Sequence, residues 1–439
     1  MPALMAFSHA AFARQDVLGP TEERIIQYET TTNLQDPVAV LQHQLAADKA
    51  RLDFVPIRGY LPSLLKALNV SRSSQMLVFS RTSSQADQTS PHSPRAIYFG
   101  DSVSLGWVPK GADIDLIAID PLVGPVFYTL AQQRAKVPHF ERRLDCMRCH
   151  LTARTSFVPG LILRSFYTAA DGTPVATVAN FVNGHNSPLN ERWGGWYVTG
   201  THPQELHLGN LFAADSDQIN RLDMHSGANV TDLRPYFDTA PYLSRDSDIV
   251  ALLVLEHQVR MQNLLTRANY ETRYAMDELS TPRQPNAIGS PDWPRQRIAI
   301  AGEELLQYML FRDEAPLHGP IKGTSDFARQ FARLGPRASS GRSLRQFDLN
   351  SRLFRYPCSY LIYSPAFDAL PKPMMEFLWT RLEQILSGHD QSPAYASFAA
   401  ADRQAVLQIL RETKPEFAAW LKDKSAPANG RSDGQLTRP

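Results

Sequence analysis

The chain has 439 residues, with 45 basic and 44 acidic side chains and a formal net charge of +1. That balance excludes the polycationic surface of a general nucleic-acid binder, so no nucleic-acid partner is expected. A hydrophobic share of 43% supports a sizeable core in two or three units, and three cysteines are too few for a disulfide scaffold. Residues 1–13 are apolar and rich in small residues. They end in Ala11-Phe12-Ala13, the small-x-small pattern of a secretory cleavage site. They lack a basic start, so the expectation is a signal peptide shortened at its beginning and a periplasmic location. No run of eighteen or more apolar residues occurs, so no transmembrane segment is expected.

Asp36-Pro37 is a helix start signal, and apolar spacing predicts a helix over Val38 to Arg51. Leu61 to Leu68 reads as a second short helix. From Gln75 the pattern changes to short apolar or alternating runs bounded by Gly, Ser, Asp and Pro. Met76–Phe79, Ala96–Phe99, Val103–Val108, Ile114–Ile119 and Val126–Leu130 are expected strands of a small antiparallel sheet. Thr82 to Pro94 reads as a polar loop. Leu161–Phe166 and Pro174–Val182 are expected to add strands, before a segment dense in aromatics and glycine from Trp193 to Gly200. Beyond residue 245 the periodicity turns helical. Asp248–Tyr274, Arg295–Phe311, Ser325–Leu334, Met374–Leu386 and Arg403–Trp420 are predicted helices. The fold class expected is α+β. A β-rich region over 14–245 packs on a helical region over 246–423, with a disordered tail over 424–439.

One stretch names its own chemistry. Cys146-Met147-Arg148-Cys149-His150 places two thiols three residues apart, with a histidine directly after them. On one helical turn both thiols share a face, from which they can reach the two vinyl groups on one edge of a haem. These five residues resemble the haem-attachment signature of c-type cytochromes. The resemblance implies one covalent haem c on Cys146 and Cys149, with His150 as the proximal iron ligand. It does not extend to the rest of the chain, which is about four times the length of a compact cytochrome c domain. Di-haem peroxidases carry two such motifs, and this chain carries one. The stretch Glu191–Asn210, with Arg192-Trp193-Gly194-Gly195-Trp196-Tyr197-Val198-Thr199-Gly200 and His207, looks like that of large, poorly characterised single-haem bacterial proteins.

A sixth iron ligand would decide whether such a haem carries electrons or reacts with small molecules. His257 leads the candidates. It lies in the helical row Ile249, Leu253, His257, Met261, which is otherwise apolar, and an inward imidazole there needs a partner or a metal. A core histidine bonded to a carbonyl is the bland alternative. His207 and His185 follow as candidates, and Met261 is a further one. Trp193, Trp196 and Tyr197 are candidates to pack on a porphyrin, and Arg192, Arg164 and Arg143 to pair with its propionates. Cys358, alone in an aromatic stretch, is expected to be a buried, inert thiol.

Three functions compete. The first is a periplasmic cytochrome passing electrons to an unidentified redox partner protein. The second is a haem-dependent, peroxidase-like oxidoreductase acting on a small molecule. The third is a structural zinc protein using Cys146, Cys149, His150 and one distant ligand.

Overall fold

The structure is a computed structural model that describes residues 17–175, 180–213, 219, 221–280 and 292–425. The expected signal peptide lies outside the described residues, as does the chain beyond Ser425. At its centre is a seven-stranded antiparallel sheet. Its strands are β1 (Met76–Val78), β2 (Arg95–Phe99), β3 (Val103–Trp107), β4 (Asp113–Asp120), β5 (Gly124–Ala131) and β6 (Phe140–Arg142). Two short pairs follow, β7 (Arg164–Ser165) with β8 (Phe181–Val182), and β10 (Gly200–Thr201) with β11 (Lys322–Gly323). Between them β9 (Trp196–Tyr197) joins the sheet beside β1, giving the order β6-β5-β4-β3-β2-β1-β9.

Alternation makes the sheet two-faced. Ala96, Tyr98, Leu105, Trp107, Leu116, Tyr128 and Leu130 are buried against the N-terminal helices Pro37–Ala46 and Leu61–Ala67. On the other face Met76, Val78, Phe99 and Ile119 join the core built around the long helix Ile249–Ser280. Further helices at Trp293–Met309, Lys372–Leu386, Ala400–Thr413 and Pro415–Ser425 build outward from it. The fold is therefore α+β, with a β-rich first half and a helical second half.

The long helix is the axis of the molecule. Asp248 starts it, its Oδ1 accepting from the backbone N–H of Val250 and Ala251 at 2.8 and 3.2 Å. Its polar side chains are buried and hold loops. Gln258 and Gln262 donate to the carbonyls of Gly100 and Asp101, and Tyr270 donates to that of Val123. At the β4–β5 turn, Asp120 accepts from Leu122 and Val123 N–H. Gly124 sits there at φ +76°, where a Cβ would lie 2.5 Å from a Thr266 methyl of the long helix. The turn thus needs glycine for both backbone and space.

Two expectations change. The single helix over Arg403–Trp420 is two, Ala400–Thr413 and Pro415–Ser425, because Pro415 lacks an N–H and forces Lys414 out of helical geometry. The second helix also continues into the stretch expected as tail. Between the motif and β9 the chain forms short pairs rather than full strands: of Leu161–Phe166 only Arg164–Ser165 pairs. Part of Pro174–Val182 lies outside the described residues.

Candidate functional site

The motif follows β6 directly. Met147–His150 forms a single helical turn, with Cys146 at its start and the His150 N–H bonded to the Cys146 carbonyl at 3.0 Å. Met147 is the buried anchor of the turn. Cys146 is half-buried, Cys149 is exposed, and both are free thiols. Burial pushes the Cys146 thiol up to about 11, with the charge of Asp145 acting the same way. It is therefore held as S–H at neutral pH.

His150 is fixed from two sides. Its Nδ1 lies 2.8 Å from the Gly160 carbonyl. A carbonyl only accepts, so Nδ1 carries the proton and Nε2 keeps its lone pair. Nε2 has no hydrogen-bond partner among the described residues. The ring packs against Phe127 of β5 at 4.8 Å between centroids. Burial lowers its pKa from the ordinary histidine value, which keeps it neutral. An N–H to a backbone carbonyl is the common way a metal-binding histidine has its tautomer and orientation set.

The Gly160 carbonyl is itself held by the long helix. Asn263 accepts from the Leu161 N–H at 2.9 Å and donates to the Leu161 carbonyl at 2.8 Å. Gly160 passes so close to Asn263 that a Cβ there would lie 2.7 Å from Oδ1. The orientation of His150 is thus tied, through Gly160 and Leu161, to a residue 113 positions later in the sequence. Asn263 was not legible as a site residue. A buried asparagine on an apolar helix was the only available signal.

His257 lies elsewhere and shares no hydrogen-bond or ring partner with His150. It is fully buried, and both ring nitrogens are engaged: Nε2 with Ser359 Oγ at 2.7 Å, Nδ1 with His185 Nδ1 at 2.8 Å. The two imidazoles stack among Tyr308 and Phe311. Burial depresses the pKa of His257 to about 3. The arrangement is that of satisfied core histidine for His257, and it offers no free nitrogen to a metal. Met261 is buried in the same core. His207 is buried against Trp193 and accepts from the Gly209 N–H through Nδ1.

Arg192 is buried and ion-paired with Glu256 at 2.7 Å, while Arg143 pairs with Asp145 beside the motif. Arg164 of β7 is half-buried over the Phe166 ring and lies on the Cys149 side of the motif. Trp196 donates to the Arg164 carbonyl at 2.9 Å, and Tyr197 is buried against the Pro91 carbonyl. Cys358 is fully buried, and its thiol is pushed up to about 12.

Comparison with protein-family models, with curated proteins and with solved structures finds no match to this chain. Among the described residues, no helix is long and apolar enough to cross a membrane. Nor do any three His, Cys, Asp or Glu side chains converge to hold a bare metal ion.

Proposed function

We propose that this chain is a periplasmic c-type cytochrome that holds one haem through Cys146 and Cys149, with His150 on the iron, and passes electrons to a partner protein. The observation that carries the reading is the Gly160 carbonyl on His150 Nδ1. It fixes the tautomer and leaves Nε2 with its lone pair and with no protein hydrogen-bond partner among the described residues, which suits a histidine that holds a metal.

The residues present fit the group. The thiols are free and three residues apart, Cys149 exposed and Cys146 half-buried. Each can add its S–H across one vinyl double bond, sulfur bonding to one carbon and hydrogen passing to the other, so no oxidant is needed. The surroundings are apolar on one side, with Phe127 against the imidazole and Phe157 in the loop after the motif. Phe157 is 74% exposed and held at φ +58°, a costly placement for a large apolar side chain in water. Arg164, with no carboxylate partner among the described residues, supplies positive charge on the Cys149 side. Haem supplies a one-electron iron centre. The protein would supply the His150 imidazole as an iron ligand and the burial that tunes it. The zinc reading needs further donors converging on the motif, and the described residues provide no such group.

The test is the pyridine haemochrome spectrum of protein matured where haem attachment occurs. The expected result is a c-type α-band that survives acid–acetone extraction and is lost in Cys146→Ser/Cys149→Ser. A colourless protein from the same cells overturns the proposal. Low-spin iron in both oxidation states supports the carrier; high-spin iron that binds peroxide moves the assignment to an oxidoreductase.

A further inference from the structure

A second polar site lies in the core between the long helix and the Asn183–Arg192 loop, and it is independent of haem. A small cavity of about 10 Å³ there is lined by His185, Arg192, Leu253, Glu314 and Leu353. One water needs roughly that much and two or more polar partners. His185 is buried, and its Nε2 has no hydrogen-bond partner. Glu314 also lines the cavity. Its Oε1 accepts from the Leu353 N–H at 2.8 Å, which leaves Oε2 free of protein partners.

The direction of hydrogen bonding can be assigned along this row. Ser359 Oγ accepts the Leu361 N–H at 3.3 Å and can still donate, and in the direction taken here its hydroxyl proton points to His257 Nε2 at 2.7 Å. His257 then carries its proton on Nδ1 and donates it to His185 Nδ1 at 2.8 Å. Both rings are neutral, since burial lowers each pKa. His185 therefore carries its own proton on Nε2. A buried N–H without an acceptor costs about 1–3 kcal/mol. The Arg312 carbonyl lies near the ring and favours a proton there, but it makes no hydrogen bond with Nε2.

We infer that this cavity binds one water, which accepts from His185 Nε2–H and donates to a Glu314 carboxyl oxygen. The row Ser359, His257, His185, water and Glu314 then donates in one direction, from the buried serine to a half-exposed carboxyl group. It gives the two buried imidazoles a route for exchanging protons with the surface.

A crystal structure of the full chain, at a resolution that shows waters, tests the site. The expected result is one water within hydrogen-bond distance of both His185 Nε2 and Glu314. A dry cavity, or Nε2 bonded directly to the Arg312 carbonyl, overturns it. Long-range proton–nitrogen spectra of histidine-labelled protein test the direction, with His185 assigned from its missing signals in His185→Gln. Protonated Nε2 in His185 and protonated Nδ1 in His257 are expected, and the reverse pair overturns the assignment. Glu314→Gln should keep the water and Glu314→Leu should lose it. The wild-type measurements decide the matter even where a variant fails to fold.

Discussion

Replacing Asn263 by leucine tests how the body of this protein serves the motif. The substitution keeps nearly the same volume and removes two hydrogen bonds, at 2.9 and 2.8 Å, to the buried backbone of Leu161. Each orphaned backbone group costs about 1–3 kcal/mol, so the expected loss is about 2–6 kcal/mol. Gln262→Leu, one position earlier, is the matched control. It removes a single bond to the Asp101 carbonyl, which belongs to the β2–β3 turn rather than to the Gly160–Leu161 segment. Its expected loss is about 1 kcal/mol. Urea unfolding followed by tryptophan fluorescence gives the two losses.

The second readout is specific to His150. With Leu161 released, the Gly160 carbonyl is no longer aimed, and the imidazole gains freedom to rotate. In protein carrying haem, the expected result is a shifted α-band and a changed midpoint potential in Asn263→Leu but not in Gln262→Leu. Equal spectra in the two variants refute the link through Gly160. A loss under about 1 kcal/mol in Asn263→Leu refutes the hydrogen-bond accounting. Failure of the wild type to hold haem sinks the cytochrome proposal but leaves the stability comparison intact.

Gly124→Ala should destabilise by about 2–5 kcal/mol, from left-handed backbone plus contact with Thr266. Part of that should return in Gly124→Ala/Thr266→Ala when unfolding is measured for both. Arg192→Met should destabilise the fold by removing the buried partner of Glu256, whose carboxyl then rises further and takes up a proton. Arg192→Met/Glu256→Leu should cost less than the single change, and a double-mutant cycle decides it. Acid should weaken the fold through His207 and His257, whose folded pKa values near 3 lie below the ordinary 6.5 because of burial. The unfolded chain then binds the extra protons. Their contribution is intact above pH 6.5 and is lost towards pH 3, at about 1.4 kcal/mol per group and pH unit. Glu256 and Glu314, raised by burial to about 7, act oppositely between pH 7 and 4.5. The steepest fall is therefore expected below pH 4.5, and urea midpoints across that range measure it.

The sheet was legible because strand alternation is a local signal. β2 to β5 fall within a residue or two of the runs read from the sequence, and the two faces of β4 follow its alternation. The long helix was legible for the same reason, although it runs on to Ser280. Its role was not legible, because it is not a surface helix with one apolar stripe. Gln258, Gln262, Asn263 and Tyr270 look polar in sequence and are buried in the fold, each spent on a loop carbonyl or N–H. His257 shows the same limit from the other direction. The apolar row placed it inside correctly, but only the fold supplies Ser359 and His185, which use up its nitrogens.

The same contrast bears on why a five-residue motif sits in so large a chain. A helical turn of four residues has no means of fixing its own histidine, since its hydrogen bonds run along the backbone. The fixing group must come from outside, and here it is Gly160, whose position depends on Leu161 and Asn263. Asn263 in turn lies in a helix that is buried along most of its length, between the sheet and the C-terminal helices. A fixed His150 imidazole therefore depends on the sheet that supplies Phe127, the loop that supplies the carbonyl and the helix that holds the loop. On this reasoning the motif and the fold act together, and among changes on the long helix those at Asn263 should be read first at His150.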